Sequence, residues 1–347
     1  MAYTKRNGIW ALGALLLVGW ATEARAYYCY IFVHGRQDNT NTLTSYASAS
    51  SYWKGQNTGW FNNDIGNYGD GIARITGNGV HKFYVIGYDG TKSYLSQSVP
   101  VAKEIVNAAT AGSKDKGGFS CGTPTKYIVV AHSMGNAVMD FILGNARTTD
   151  ANYGYGASGT LFAVAASKIT NVQSLAGAHR GTKAADAACG SASALSNFLA
   201  SWVSPCNDGA TWLQTASNWQ VSTYSNAPLK PIYLYGGYEG MADSAMLPGE
   251  DDGVVTHAGA FACSGDANAS YSNGNVCSNS YHQEASGFYN RSAAHENHSD
   301  IRNGSDVDRR YSVASGGTCS TKTCFFLSEL SYKPCSATVD EIACATK

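Results

Sequence analysis

Three short apolar runs without polar alternation stand out along the chain: Tyr30-Ile31-Phe32-Val33, Phe83-Tyr84-Val85-Ile86 and Tyr127-Ile128-Val129-Val130. Runs of four apolar residues rich in β-branched and aromatic side chains are typical of strands buried on both faces, as in a parallel sheet covered by helices. Two later runs, 172–175 and 232–235, predict further strands.

Helical periodicity lies between these runs. Apolar residues recur at helical spacing in 99–111 and again in 136–145, so a helix is predicted in each segment. The alternation of strand and helix predicts an α/β fold with one mostly parallel sheet and helices on both faces. Residues 260–294 are rich in Ser, Asn and Gly, show no periodicity and are predicted to be loop.

The pattern loosens in residues 187–229, where Trp202, Trp212 and Trp219 lie among Ser, Asn and Gly. This segment is predicted to be a cap or lid inserted over the edge of the sheet. Residues 319–347 are dense in cysteine and predict a disulfide-rich C-terminal tail. No internal repeat is visible, so residues 27–347 are expected to form one domain.

The first 26 residues have the features of a secretory signal peptide. Two basic residues near the start precede an apolar stretch, and the small-residue ending Ala24-Arg25-Ala26 follows it. The apolar stretch has about 12 residues, fewer than the ~20 that a membrane-spanning helix needs. The chain is therefore expected to be secreted, extracellular or periplasmic, after cleavage near Ala26, with no transmembrane segment.

Composition narrows the classes of function. The chain has 347 residues, 44% of them hydrophobic, with 24 Lys and Arg against 25 Asp and Glu and a formal net charge of −1. This length suits a sizeable core. Since no stretch is dense in basic residues, nucleic acid is not expected as a partner.

Ten cysteines follow the predicted cleavage point, and an even number in an exported chain predicts disulfides. The short spacings favour three local pairs: Cys189–Cys206, Cys263–Cys277 and Cys319–Cys324. No Cys-x-x-Cys occurs and no histidine lies at a ligand spacing from a cysteine pair, so no metal site is predicted.

The sharpest chemical signal is Ala131-His132-Ser133-Met134-Gly135, between a predicted strand and a predicted helix. A nucleophile in such a turn needs small residues two places to either side, and Ala131 and Gly135 meet this requirement. The turn would hold Ser133 above the sheet. The alternative is a serine that caps an ordinary helix.

A second signal is His34-Gly35-Arg36 at the end of the first predicted strand. In a hydrolase arrangement the loop after such a strand supplies one donor to the oxyanion, and a glycine lets the backbone approach the substrate. The predicted donors are the backbone amides of Arg36 and Met134. A simple strand-ending turn is the alternative.

An activated serine needs a base and an acid that orients the base. In the hydrolase arrangement just described, these residues follow one another along the sequence as Ser, then Asp or Glu, then His. Asp252 is therefore the predicted acid and Asp251 the alternative. Among the histidines after Ser133, His179 precedes the acid and His257 follows it by only five residues. Position alone leaves the base open among His282, His295 and His298.

Several segments together resemble one family: Val33-His34-Gly35, Tyr52-Trp53-Lys54-Gly55, the Ser133 turn, Gly177-Ala178-His179-Arg180-Gly181-Thr182, Asp252-Gly253-Val254-Val255 and Asn297-His298-Ser299-Asp300. The chain resembles the secreted bacterial triacylglycerol lipases and esterases of the α/β-hydrolase superfamily. Ala178 departs from the proline that is usual in this family, a change expected to alter a turn and not the chemistry.

The resemblance implies an α/β-hydrolase fold with Asp252 as the acid and His298 as the base, His295 being the runner-up. It implies a structural role for His179 and Arg180. It implies no cofactor, and since no ligands match the calcium site that some members hold, no calcium is predicted.

The expected activity is hydrolysis of carboxylic esters through an acyl-enzyme on Ser133. The expected substrate is an ester or lipid, and a lipid–water interface is one place where the protein would meet it. The alternatives are an extracellular polyester depolymerase or an acyltransferase with the same triad. From another class, a catalytically silent hydrolase fold could serve in binding.

Overall fold

The computed structural model describes the parts of the chain that carry the sheet and its flanking helices. The residues described are 28–37, 42–53, 74–76, 79–110, 121–122, 124, 126–146, 159–190, 206–215, 230–237, 247, 251–262, 288–294, 297–299, 301, 310–312, 317–318, 323–324 and 333–334. The predicted signal peptide lies outside them.

Nine strands of the described residues form one sheet. They are β1 (Tyr28–Val33), β2 (Arg74–Thr76), β3 (Gly79–Ile86), β4 (Lys126–His132), β5 (Asn171–Leu175), β6 (Ile232–Gly237), β7 (Phe288–Ala294), β8 (Arg310–Ser312) and β9 (Gly317–Thr318). Their order is β2-β3-β1-β4-β5-β6-β7-β8-β9. From β3 to β7 neighbouring strands are parallel, whereas β2, β8 and β9 pair antiparallel.

A separate antiparallel pair, β10 (Thr323–Cys324) with β11 (Lys333–Pro334), lies in the predicted cysteine-rich tail. Most of that tail lies outside the described residues, including Cys319, so the Cys319–Cys324 pairing stays a prediction. Cys263 and Cys277, which precede the tail, also lie outside them, and their pairing stays a prediction too.

Seven helices are described: α1 (Tyr46–Trp53), α2 (Tyr94–Ala108), α3 (Met134–Gly144), α4 (Gly159–Lys168), α5 (Lys183–Cys189), α6 (Asp208–Leu213) and α7 (His257–Ala260). None of the helices in these parts of the chain combines the length and the apolar character needed to cross a bilayer.

Both faces of the central sheet are buried. Along β1, Ile31 and Val33 belong to a large apolar cluster that also holds the core faces of α2, α3 and α4. Tyr30 and Phe32 point the other way and pack with Trp53 of α1. Since alternate residues of a strand face opposite sides, unbroken apolar runs serve two cores, and the predicted α/β fold with helices on both faces is confirmed.

Register brings several strand ends to one edge. Val33 of β1 pairs with Ala131 of β4, and His132 pairs with Leu175 of β5. The residues that follow these strands, including Gly35 and Ser133, therefore emerge side by side at the carboxyl edge of the sheet. Ligands of open parallel sheets bind at this edge.

Two boundaries differ from the sequence predictions. The helix predicted from residue 99 begins at Tyr94, because the Ser93 side chain accepts a hydrogen bond from the Ser96 amide and caps the helix before Pro100. The loop predicted over 260–294 contains β7, whose place is set by backbone pairing with β6 across a register shift at Leu234 and Tyr235, not by an apolar pattern.

Two disulfides are described. The cap disulfide, Cys189–Cys206, is the local pair predicted from spacing and joins the end of α5 to the residues before α6. The core disulfide, Cys29–Cys121, joins residues 92 apart and is buried. Spacing did not suggest the core disulfide, because its two segments meet through the fold: β1 pairs with β4, and the Cys121 amide donates to the Ala108 carbonyl at the end of α2.

Candidate active site

Ser133 occupies the turn between β4 and α3 with φ 54° and ψ −127°. A positive φ is uncommon for a residue other than glycine and persists only where the surroundings enforce it. The Ser133 side chain makes no capping hydrogen bond to α3, so the helix-cap alternative is not what the structure shows. Ser133 is 8% exposed, at the edge where the strand ends meet.

Small neighbours make this turn possible. A Cβ added to Gly135 would lie 2.6 Å from the carbonyl oxygens of both Val33 and His34. Only glycine lets the first turn of α3 pack this closely on the end of β1. Ala131, on the other side of Ser133, is fully buried.

Hydrogen bonds tie the turn to the end of β5. The Ser133 amide donates to the Leu175 carbonyl at 3.1 Å, and the Ala178 amide donates to the Ser133 carbonyl at 3.2 Å. The Asn136 side-chain amide donates to the carbonyls of Ala131 and Leu175, each at 3.1 Å. The backbone of Ser133 is thus held on both sides.

The loop after β1 faces the Ser133 side chain. A Cβ on Gly35 would lie 2.8 Å from Ser133 Cβ and 3.3 Å from its Oγ. Arg36, the predicted oxyanion donor, follows directly, and its guanidinium Nε donates to Asn207 Oδ1 at 3.3 Å. Met134 is the first residue of α3, so its amide has no acceptor within the helix.

His34 fixes the conformation of this loop as a neutral ring. Its Nδ1 donates to the Gly35 carbonyl at 2.7 Å, and its Nε2 accepts from the Tyr88 amide at 3.4 Å. The ring stacks on Tyr88 with centroids 4.0 Å apart. Burial lowers the pKa of His34 to about 4, against a smaller raising effect of its backbone hydrogen bonds.

Asp252 and His298 form a buried pair. His298 Nδ1 lies 2.8 Å from Asp252 Oδ2, and the His298 amide donates to the Asp252 carbonyl, also at 2.8 Å. The other carboxylate oxygen of Asp252 accepts from the amides of Val254 at 3.0 Å and Val255 at 2.7 Å. These bonds fix the carboxylate and orient the imidazole.

His132 connects this pair to the nucleophile turn. Its Nε2 lies 2.8 Å from the His298 carbonyl oxygen, so Nε2 carries the proton and donates. Its Nδ1 then accepts from the Tyr52 hydroxyl. The rings of His132 and His298 have centroids 4.6 Å apart, so the loop that carries His298 is attached to the residue before Ser133.

Asp251, the alternative acid, points elsewhere. Its Oδ1 accepts from the Gly253 amide at 2.7 Å, and its backbone bridges to Thr256. Burial raises the pKa of Asp251 to about 7; the Gly253 hydrogen bond lowers it and the charge of Asp252 raises it further. The histidine pair forms with Asp252.

His295, Trp202 and Trp219 lie outside the described residues. Of the predicted cap, residues 206–215 are described, and they lie against the loop after β3: the Gly209 amide donates to the Thr91 carbonyl, and the Ser93 amide to Asp208. Whether the segment acts as a lid stays a prediction.

Sequence reasoning missed the contributions of Tyr52, His132 and Asn207. Tyr52 and His132 each stand inside a quoted motif, but their contacts span 80 and 166 residues along the chain. Asn207 had no signal beyond its place directly after a cysteine.

The parallel sheet, the strained serine turn at its carboxyl edge and the histidine–aspartate pair beside that turn are the parts of an α/β-hydrolase fold. No protein-family model matches the sequence, and no curated protein sequence matches it.

Solved structures give matches of low identity. Bacillus licheniformis lipase BlEst2 in its mature form is 18% identical, with 69% of this chain and 80% of that chain covered and a TM-score of 0.44. Staphylococcus hyicus lipase is 11% identical (81% and 89% covered, TM-score 0.44), and EstA from Clostridium botulinum 12% identical (79% and 83%, TM-score 0.43). Similarity at this level assigns no activity to the chain.

Proposed function

We propose that the chain is a secreted serine hydrolase that cleaves carboxylic esters through an acyl-enzyme on Ser133. The observation that carries the proposal is the meeting of three features at one sheet edge. These are the strained Ser133 turn, the Gly35 loop against its side chain, and the Asp252–His298 pair attached through His132.

The proposed base is His298. Because its Nδ1–H donates to Asp252, the lone pair of the neutral ring is on Nε2 and is available to accept the Ser133 proton. Asp252 stabilises the imidazolium that forms. No step of this reaction uses a metal or cofactor, which is a proposal like the rest.

In the first half-reaction Ser133 Oγ attacks the ester carbonyl while His298 Nε2 takes the hydroxyl proton. The carbonyl oxygen becomes an oxyanion, for which the amides of Arg36 and Met134 are the proposed donors. The C–O bond of the ester then breaks, and His298 returns the proton to the leaving alkoxide. Water, activated by His298, adds to the acyl-enzyme and releases the acid.

The test uses purified protein and p-nitrophenyl butyrate. Ser133→Ala should abolish turnover while the protein stays folded, and equal rates in both proteins would refute the serine mechanism. Activity absent from the wild type would favour the silent binding fold. Product transfer to an added alcohol in place of water would favour the acyltransferase.

Two matched pairs of variants separate the candidate residues. Asp252→Asn should lower kcat by about 10⁴-fold, as expected when the acid no longer holds the required tautomer, whereas Asp251→Asn should stay within tenfold of the wild type. Similarly, His298→Gln should remove activity, and His257→Gln should retain it, since His257 is buried against Phe261. The reverse pattern in either pair would reassign the acid or the base.

A further inference from the structure

A second set of Ser, His and Asp side chains, called the buried triad below, lies inside the core, apart from the residues proposed for catalysis. His179 Nδ1 lies 2.6 Å from Asp140 Oδ2, and His179 Nε2 lies 2.7 Å from Ser174 Oγ. With Asp140 ionised, Nδ1–H donates to the carboxylate and the Ser174 hydroxyl donates to Nε2. The three residues are 0–2% exposed.

The buried triad is closed to substrate. A Cβ on Gly177 would lie 2.6 Å from both Ser174 Oγ and His179 Cδ2, so the backbone of Gly177 covers the contact between hydroxyl and imidazole. An ester carbonyl has no room to approach Ser174. The role of the buried triad is therefore something other than nucleophilic catalysis.

The three residues surround the segment that holds Ser133. Ser174 and His179 lie at the two ends of residues 175–178, whose Leu175 carbonyl and Ala178 amide bond to the Ser133 backbone. Ala176 in this segment also has a positive φ, 42°. Asp140 lies on α3, the helix that begins directly after Ser133, so the imidazole joins α3 to both ends of the segment.

Burying an ionisable pair generally stabilises a fold less than apolar residues of similar volume would. Here Asp140 Oδ1 is buried with no hydrogen-bond partner in the described parts of the chain. Burial raises the pKa of Asp140, opposed by the nearby His179. The buried triad contributes directional hydrogen bonds, which fix the position of the helix relative to the strand end more narrowly than apolar packing does.

We propose that Asp140, His179 and Ser174 are positioning residues for the nucleophile, because together they hold residues 175–178 in the conformation that keeps Ser133 in its strained turn. The inference rests on the proposed function and deepens it. None of the three residues touches the substrate.

The experiment measures the rate at which a fluorophosphonate labels Ser133. In this reaction Ser133 Oγ forms a bond to phosphorus, fluoride leaves, and His298 takes the hydroxyl proton, so the rate reports the nucleophile without a turnover cycle. Asp140→Asn and His179→Ala should slow labelling by about 10–100-fold, the size of effect that a displacement of roughly 1 Å produces. In ester turnover kcat should fall while KM changes by less than about threefold.

His179→Asn supplies the conservative comparison. Its side-chain amide can still donate to Asp140, and its labelling rate should lie between those of His179→Ala and the wild type. Tyr84→Phe is the matched control, because it deletes a buried 2.6 Å hydrogen bond to Glu104 elsewhere in the core. It should label at the wild-type rate.

A readout independent of activity is hydrogen exchange of the Ala178 amide, which donates to the Ser133 carbonyl. This amide should exchange faster than in the wild type in Asp140→Asn and His179→Ala, and at the wild-type rate in Tyr84→Phe. If both substitutions prevent folding, Ser174→Ala decides by the same two measurements, with several-fold slower labelling expected.

Folded variants that label Ser133 at the wild-type rate would overturn the positioning role and leave the proposed function intact. A wild-type protein that is not labelled at Ser133 would overturn both.

Discussion

Replacing Gly35 with alanine tests whether the loop after β1 borders the reaction centre. The added methyl group would lie 2.8 Å from Ser133 Cβ and 2.5 Å from the Tyr52 hydroxyl oxygen. Carbon atoms in contact prefer about 3.5–4.0 Å, so the loop and the serine must separate by roughly 0.7–1.2 Å. Ser133 Cβ is one bond from the backbone, and the Tyr52 hydroxyl is held by its hydrogen bond to His132, so neither atom can easily move aside.

This displacement sets the expected size of the effect. A misplacement of about 1 Å at a reaction centre costs roughly 10²-fold in rate, and overpacking a dense site costs about 1–3 kcal/mol in the free energy of unfolding. Gly35→Ala should therefore lower kcat for p-nitrophenyl butyrate about 100-fold with a modest fall in Tm.

Gly87→Ala provides the matched control. Its methyl group would lie 2.7 Å from the backbone of Thr44 and Ser45, a clash of similar depth that does not involve Ser133. This variant should lose a similar amount of stability and keep kcat within a few-fold of the wild type. A folded Gly35→Ala protein with kcat within threefold of the wild type would refute the placement of the loop beside the nucleophile.

Three further predictions concern other parts of the molecule. Since the pKa of Asp251 is raised from 3.8 to about 7, the folded protein keeps a proton between these pH values that the unfolded protein loses. The contribution of Asp251 to the free energy of unfolding should therefore fall as pH rises through this interval, and this part of the pH dependence of Tm should be missing in Asp251→Asn. The cap disulfide has an exposed cysteine whereas the core disulfide is buried, so thiol alkylation and mass measurement over increasing reductant should find the cap disulfide open first; the opposite order would contradict the exposures. Tyr52→Phe removes the hydroxyl that donates to His132, a bond worth about 1 kcal/mol, and should reduce kcat about fivefold with little change in KM; an unchanged kcat would show that this bond does not reach the base.

Residues 30–33, 83–86 and 127–130 were predictable as strands because no polar residue interrupts these three runs, which is typical of strands buried on both faces. The serine turn was equally visible, since its small flanking residues are adjacent in sequence. By contrast, β7 carries Asn290, Arg291 and Ser292 within its seven residues, and only pairing with β6 makes it a strand.

The candidate site divides in the same way. The predicted pairing of Asp252 with His298 agrees with the geometry, although their catalytic roles remain a proposal. The contacts of His132 with Tyr52 and with the His298 carbonyl depend on the fold bringing distant segments together, and no local pattern encodes them. His179 was predicted to be structural; its partners Asp140 and Ser174 carried no signal, because neither lies in a recognisable motif and only the fold brings them to His179.

The strain at Ser133 explains why so many bonds converge on one turn. A residue with a side chain at positive φ costs about 1–3 kcal/mol, and Ala176, in the segment that is bonded to this turn, adds a similar cost. Three hydrogen bonds join the two strained segments: Ser133 to Leu175, Ala178 to Ser133, and Asn136 to Leu175. At about 0.5–1.5 kcal/mol each, they offset only part of the strain. The turn therefore depends on whatever keeps residues 175–178 in place, which is why a buried histidine that never meets the substrate is expected to change the reactivity of the serine.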